Sequence, residues 1–478
     1  MAVRALVKCA ESGAGGHAFR ELTPYSLGVM TNSTDLKSSV AKLMPKAKSD
    51  LERLVSFKSV ANEALFPLDE CLAAAWYTAE ALSGAGLQNV RLIDMPYGHP
   101  AVFGEAPGPA GSPTVLLYSH YDVQPPLDDA AWTTPPFELT TQGDRWFGRG
   151  AADCKGNFVA LLTALRAYAG TFPVGIKVVI EGSEEQGLGE LEDFVPEHPD
   201  LLRADAILIC DTGNFEAGLP TITSSLRGVT SLTVTVRTLA NPMHSGVFGG
   251  AAPDALVALI ALLATLHDEQ GNTTISGLPS DQQWTGVQYE PERFRQDATV
   301  LDGVDLLQGG SVADLVWARP SVSVLGIDCP PVSGSSNVLQ AEATARLSLR
   351  VPPGIEVRAA QQLLVEHLQR FAPWHVRLEI KEEGAGPAFA TRTDGAAFTA
   401  LRDSLAEAYG KPSVVQGSGG SIPLCSVFQT VYPDAEIMLI GVEEPQCMIH
   451  APNESVDPAE IERTALAIAL FLNRLAAK

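Results

Sequence analysis

Cysteine is scarce in this chain: seven in 478 residues, scattered, odd in number and never in a CxxC pair. That spacing builds no disulfide framework and argues against a thiolate zinc site, and it fits reduced thiols in a cytoplasmic compartment. Long apolar runs are missing as well. The longest, Ala255 to Leu266, falls short of the roughly 20 residues that a membrane-spanning helix needs. The opening stretch MAVRALVKCAESGAGG carries basic residues but no sustained apolar core, so it does not read as a secretory signal. Positive charge is the third shortage: 33 Lys and Arg face 56 Asp and Glu, a formal net charge of -23. An acidic surface repels nucleic-acid phosphates and anionic lipid, so neither nucleic acid nor a membrane is an expected partner. Its ordinary consequence is solubility.

What is present, 46% hydrophobic and 19% charged residues, is the composition of a soluble globular enzyme. The length suits two domains of unequal size. Residues 1–29 read as an unstructured leader, with Met30 as an alternative start. Amphipathic patterning predicts helices from about Asp35 to Phe57 and Leu68 to Leu82. Short runs rich in Val, Ile and Leu follow at Thr114 to Ser119, Lys177 to Ile180 and Asp205 to Cys210, with a helical stretch from Asn157 to Tyr168 among them. Continuous apolar runs of this length are how strands of a mostly parallel sheet, buried on both faces, look in sequence.

The pattern changes after Asp211. Residues 228–237 (GVTSLTVTVR) alternate Thr and Val, as in a strand with one wet face. Further strands are expected at Ser321 to Gly326, Ala343 to Arg350 and Val376 to Lys381. Helices are expected at Pro253 to His267 and Glu356 to Arg370, with an irregular insertion from about Asp268 to Pro320. The first pattern resumes with a helix from Asp394 to Tyr409, a buried strand from Glu436 to Gly441 and a final helix starting at Asp457. There Asp457, Pro458 and Glu460 read as a capping box with a proline start. The expected architecture is therefore α/β: a mostly parallel-sheet sandwich, discontinuous over 30–222 and 391–478, holding the catalytic and metal-binding groups. A smaller α+β lid or dimerisation domain is inserted at 223–390.

The chemistry lies in where the acids and histidines fall. The first strand runs into His120 and Asp122, the next into Glu184 and Glu185, the third into Asp211, and Asp153 stands before the helix between them. In an open parallel sheet the carboxyl ends of the strands face one crevice. Singly, each residue has an ordinary explanation: a hydrogen-bonded His, a solvated Glu pair, an Asp helix cap. Together they make a thiolate-free His/carboxylate cluster suited to Zn, Mn or Co with positions left open for water. With His450 as a late candidate there are more ligands than one ion uses, which points to two ions about 3.5–4 Å apart sharing a carboxylate.

The strings Ser119-His120-Tyr121-Asp122-Val123-Gln124-Pro125, Gly148-Arg149-Gly150-Ala151-Ala152-Asp153-Cys154-Lys155-Gly156 and Glu181-Gly182-Ser183-Glu184-Glu185 resemble the co-catalytic zinc peptidase family. That family comprises carnosine dipeptidases, aminoacylases, and acetylornithine and succinyl-diaminopimelate deacylases. The likeness runs from about residue 36 onward, and the His-Tyr-Asp-Val-Gln-Pro form resembles the dipeptidase branch. The resemblance implies Asp153 as the metal bridge, His120 and Asp211 on one ion, and Glu185 and His450 on the other. It further implies Asp122 orienting His120, and Glu184 as general base. Cys154 departs from the residues usual after the bridging Asp, where the peptide is often cis.

Three more groups are carried by resemblance. The Gly417-Ser418-Gly419-Gly420-Ser421-Ile422-Pro423 loop is similar to the dipeptidase loop that binds the substrate carboxylate, and free N–H groups at a helix start suit that task. An ordinary turn with Ser421 as cap is the alternative. Arg350 resembles the arginine that grips the same carboxylate. His244, in Asn241-Pro242-Met243-His244-Ser245-Gly246, resembles an oxyanion-stabilising histidine that arrives from the partner subunit in dimeric relatives, and Asn337 resembles another polar residue there. The expected function is a metal-dependent dipeptidase acting beside a free C-terminal carboxylate, with two divalent ions, zinc foremost, as a homodimer formed through the inserted domain. An N-acyl amino acid deacylase or desuccinylase is the second reading, and an inactive scaffold protein the third.

Overall fold

The computed structural model describes residues 33–187 and 190–477; the expected leader at 1–29 and the alternative start at Met30 lie outside them. A nine-stranded sheet forms the centre of the larger unit. Its strands run in space as Gln88–Ile93, Ala101–Ala106, Gly175–Glu181, Thr114–His120, Ala206–Cys210, Glu436–Ile440, Thr221–Leu226 and Phe389–Ala390, with Val414–Ser418 also paired to Thr221–Leu226. Thr114–His120 pairs in parallel with both Gly175–Glu181 and Ala206–Cys210, and Ala206–Cys210 in parallel with Glu436–Ile440. These are the four strands that read as continuous apolar runs.

Both faces of the sheet are covered, which is why alternation is absent. Val115 and Leu117 pack on one face with the helices Ser33–Ser56, Lys155–Arg166 and Pro458–Ala476, while Leu116 and Tyr118 pack on the other with Leu191, Leu424 and Phe428. Lys155 is fully buried and anchors the first helix by donating from Nζ to the Leu54 and Phe57 carbonyls, each at 2.9 Å.

The smaller unit is a four-stranded antiparallel sheet in the order Ser321–Asp328, Glu342–Val351, Gly228–Arg237, Arg377–Gly386. Helices Ala255–Ala264 and Val357–Phe371 cover one face through Leu232, Val234 and Val236. The intervening Ser231, Thr233 and Thr235 stay partly exposed, the wet face that the Thr/Val alternation predicts. The chain passes between the units at Arg227-Gly228, where a Cβ on Gly228 would lie 2.7 Å from the Gly386 carbonyl oxygen and the Ala388 nitrogen. Only glycine lets the crossing segments lie this close.

Two local expectations are corrected. The final helix, Pro458–Ala476, does carry Asp457 as its cap, accepting from the Ala459 nitrogen at 2.8 Å. Glu460 does not complete a capping box: its carboxylate accepts instead from the Gly218 nitrogen at 2.7 Å and the Tyr409 hydroxyl at 2.9 Å. These buried partners outcompete a solvent-facing cap. Ser421 likewise caps nothing, since the residue before helix Pro423–Val431 is Ile422 and no side chain caps it.

Candidate metal centre and catalytic cleft

The carboxyl ends of the parallel strands bring the acids and histidines into one cleft. Asp153 divides its two oxygens. Oδ1 lies 3.2 Å from His120 Nε2, which is itself 3.1 Å from Asp211 Oδ1; Oδ2 lies 2.9 Å from His450 Nε2. His450 Nε2 is in turn 3.2 Å from Glu185 Oε2. Two clusters of candidate ligands result, sharing Asp153, and within each the ligand atoms lie within 4.8 Å of one another. His120 is oriented from behind: Nδ1 sits 3.3 Å from Asp122 Oδ1, while the Asp122 carboxylate also accepts from the Glu184 and Glu185 nitrogens at 3.2 and 3.0 Å. With Nδ1 so engaged, the Nε2 lone pair faces the cleft, the arrangement typical of a metal-ligating histidine.

The donor set fits a pair of divalent cations. Burial, and then the negative charge of Asp211 or Asp153, raises the carboxyl pKa values of Glu184, Glu185 and Glu443, and burial raises that of Asp211. No Lys or Arg lines the cleft among the described residues. So many carboxylates out of water are costly unless positive charge is supplied. Glu185 Oε1 is buried without a hydrogen-bond partner, as a vacant ligand atom would be. Cys154 lies in the His120 cluster, yet its thiol donates to the Cys210 carbonyl at 3.0 Å and burial pushes its pKa well above the usual range. That hydrogen bond and its burial favour the protonated thiol. The Asp153–Cys154 peptide is cis.

The bridging loop has a support that received no role in the sequence reading. Glu454 is fully buried and accepts from Arg149 Nη1 at 2.7 Å and from the Gly150, Ala152 and Asp153 nitrogens at 3.0, 3.0 and 3.1 Å. One carboxylate thus pins the backbone that carries Asp153, four residues after His450. Breaking a buried pair of this kind costs about 3–5 kcal/mol. Its signal is the Glu at the end of the His450-Ala451-Pro452-Asn453-Glu454 string.

The predicted substrate residues divide into two groups. Gly419, Gly420 and Ser421 line the cleft together with Asp153, Glu184, Asp211 and His450. Behind Gly419 stands Arg227, which sequence reasoning missed: a Cβ on Gly419 would lie 2.8 Å from its Nη2. Its Nε is buried without a partner, and burial together with the nearby positive charge of Arg350 lowers its pKa to about 10. Arg350 is thus close enough to act on Arg227, and neither guanidinium is among the residues that line the cleft. His244 and Asn337 form the second group. They sit together on the inserted unit, the Ser245 nitrogen donating to the Asn337 carbonyl at 2.9 Å, and both are exposed and outside this chain's cleft.

A mostly parallel sheet with paired His/carboxylate clusters at its strand ends defines a dinuclear metallopeptidase. Residues 116–474 match the model of peptidase family M20/M25/M40, and the chain belongs to that family, in its dipeptidase branch. It is 44% identical over 417 residues to the cysteinylglycine-S-conjugate dipeptidase of Corynebacterium striatum, covering 84% of this chain and 89% of that protein. It is 28% identical over 422 residues to the Beta-Ala-His dipeptidase of Mus musculus, covering 81% and 84%. Among solved structures, the di-peptidase Dug1p of Saccharomyces cerevisiae shares the fold with a TM-score of 0.78 at 22% identity, over 94% of this chain and 99% of that one.

The geometry predicts a metal stoichiometry that depends on single residues. Stripped and reloaded protein should bind two divalent ions per chain by elemental analysis, and His450→Ala one. Asp153→Asn should bind neither tightly, and Asp122→Ala should weaken binding about 10–100-fold. Asp153→Asn retaining two ions would contradict a shared carboxylate.

Proposed function

We infer that this chain hydrolyses dipeptides with a free C-terminal carboxylate, using two divalent cations, zinc foremost, held by His120, Asp153, Asp211, Glu185 and His450. The division of the Asp153 oxygens between two histidine-carboxylate clusters carries this reading. Imidazole and carboxylate donors with open positions suit zinc, with manganese or cobalt as substitutes. Cations bound there supply Lewis acidity and lower the pKa of water.

The chain's own residues do the rest. Glu184 lines the cleft beside Asp153 and Asp211, and its Oε2 is 4.0 Å from His120 Nε2. Burial raises its pKa, which favours a carboxylate that takes a proton from the attacking water and returns it to the leaving amine. The substrate carboxylate is held by the Gly419-Gly420-Ser421 loop and by Arg350, with Arg227 behind the loop. Because the anchor is charge-assisted, amidating the carboxylate should cost about 1.5–3 kcal/mol of binding. That requirement fits a dipeptidase. An N-acyl amino acid deacylase would share the anchor, so the amino side of the substrate separates the two.

A homodimer through the inserted domain supplies the oxyanion donor. Val257, Ile260 and Leu325 are 53, 53 and 54% exposed there, and Ser321–Asp328 is an edge strand. An apolar surface beside an open edge calls for a partner, and a two-fold dimer would carry the exposed His244 and Asn337 toward the neighbouring cleft.

Glu184→Gln should lower kcat on dipeptides by about 10²–10⁴-fold with two metal ions still bound. Wild-type protein should cleave dipeptides well ahead of N-acetyl and N-succinyl amino acids. Full turnover in Glu184→Gln, or preference for the acylated substrates, would overturn the corresponding part. Mixing His244→Ala with Glu184→Gln should restore about a quarter of wild-type activity if His244 acts across a two-fold dimer. A verified heterodimer without recovery would refute that.

A further inference from the structure

The irregular segment that precedes Ser321 packs Tyr289 and Trp317 on Phe215, with ring centres 5.0 and 6.1 Å apart. Held there, it encloses a second cavity of about 370 Å³, which shares no lining residue with the catalytic cleft. That volume falls in the range of small-molecule sites, about 300–1,000 Å³. Phe294, Leu306, Val312 and Leu315 form an apolar wall, and Val304 and Leu307 stand 50 and 65% exposed at the rim. Two arginines, Arg227 and Arg319, line the same cavity. Both bond to neutral oxygens: Arg227 Nη1 donates to the Ser321 hydroxyl at 3.0 Å, and Arg319 Nε to the Gln282 carbonyl at 2.9 Å. Asp314 lies close enough to feel the charge of Arg319, but its carboxylate accepts from the Trp284 and Ser311 nitrogens at 2.6 and 3.0 Å. Asp305 is the one acid among the described residues that line the cavity, and it is exposed. Arg227 is thus a cation set against hydrocarbon, with its Nε buried and unpartnered.

We propose that this cavity binds a small apolar monocarboxylic acid, with its tail on Phe294, Leu306 and Leu315 and its carboxylate on Arg227 and Arg319. Charge and surface select the class together. A neutral ligand of the same shape leaves the cations unpaired, and a small polar anion forfeits the apolar wall. Guanidiniums match the planar fork of a carboxylate. Asp305 at the rim disfavours a second negative charge on the ligand's outer end, so polyphosphates and dicarboxylates fit worse. Arg227 also gives occupancy a consequence. A Cβ on Gly419 would lie 2.8 Å from its Nη2, so one guanidinium lines this cavity and backs the loop assigned to the substrate carboxylate. An anion that neutralises Arg227 from the cavity removes positive potential behind that loop, and by linkage weakens the hold on substrate. This last step rests on the carboxylate anchor proposed above; the cavity site does not.

Calorimetric titration of the metal-loaded, full-length protein with octanoate and with octanol tests the site. Octanoate should bind about ten- to hundredfold more tightly than octanol, and Arg227→Gln should erase that difference. Leu307→Glu, a change at an exposed rim position far from the core, should weaken octanoate at least tenfold while leaving dipeptide turnover in its absence unchanged. It therefore answers the question even if Arg227→Gln fails to fold. Equal affinities for acid and alcohol would overturn the assignment. So would octanoate binding that Leu307→Glu leaves intact, because the acid would then sit elsewhere, on the metal ions for instance. In wild type, saturating octanoate should raise KM for a dipeptide about fivefold or more with kcat little changed, and Leu307→Glu should abolish the effect at the same concentration. An unchanged KM with octanoate bound would refute the link through Arg227. Should wild type cleave no dipeptide, the dipeptidase reading falls on its own, and the titrations alone decide the cavity.

Discussion

Asp153 presents one oxygen to His120 and the other to His450, and the rest of the site is arranged around keeping it there. The residue sits on a turn that Glu454 grips through three backbone nitrogens and Arg149. The helix that follows is anchored by buried Lys155 against the first helix of the described chain. His120 and Asp211 come from adjacent parallel strands, and Glu184 and Glu185 follow a third. The sheet thus converts residues some 330 positions apart into ligand clusters sharing an atom pair, because strand ends in parallel sheets open on one side.

The inserted segment meets this centre along the cleft. Gly228 lets the chain cross closely between the two sheets. That crossing sets Arg227 and Arg350 near the Gly419 loop, while the segment before Ser321 folds back to wall the cleft with Tyr289 and Trp317. The candidate metal ligands and the aromatic residues Tyr289 and Trp317 therefore come from distant parts of the chain that meet along one cleft. His244 and Asn337 lie on the same inserted unit, exposed and outside the cleft that this chain's own acids line.

Much of this was legible in the sequence where burial on both faces leaves an unbroken apolar run. Thr114–His120, Gly175–Glu181, Ala206–Cys210 and Glu436–Ile440 announce themselves, and so do the acids that follow the first three. Other strands were hidden for physical reasons. Thr221–Leu226 is buried but polar, with Thr221, Thr223 and Ser225 facing the interior, so no hydrophobic pattern marks it. Ala101–Ala106 is interrupted by Gly104, which weakens a strand signal, and Gln88–Ile93 is an edge strand with half-wet residues. The clustering of His120, Asp211 and Glu185 was readable because these residues follow strand ends, whereas His450 was carried by resemblance. The supports of the site were not readable: Glu454, Arg227 and Glu443 matter through contacts with residues far away in the chain, and no local spacing encodes them. The segment 268–320 read as irregular, and it is mostly so, yet its aromatics are placed by packing against Phe215 that periodicity cannot foresee.

The shared carboxylate is the claim from which the others follow. Anomalous diffraction from crystals of the zinc-loaded protein tests it directly. Two peaks about 3.5–4 Å apart, one beside each oxygen of Asp153, with His120 and Asp211 on the first and His450 and Glu185 on the second, are the predicted result. A single peak, or two peaks that do not share Asp153, would contradict it.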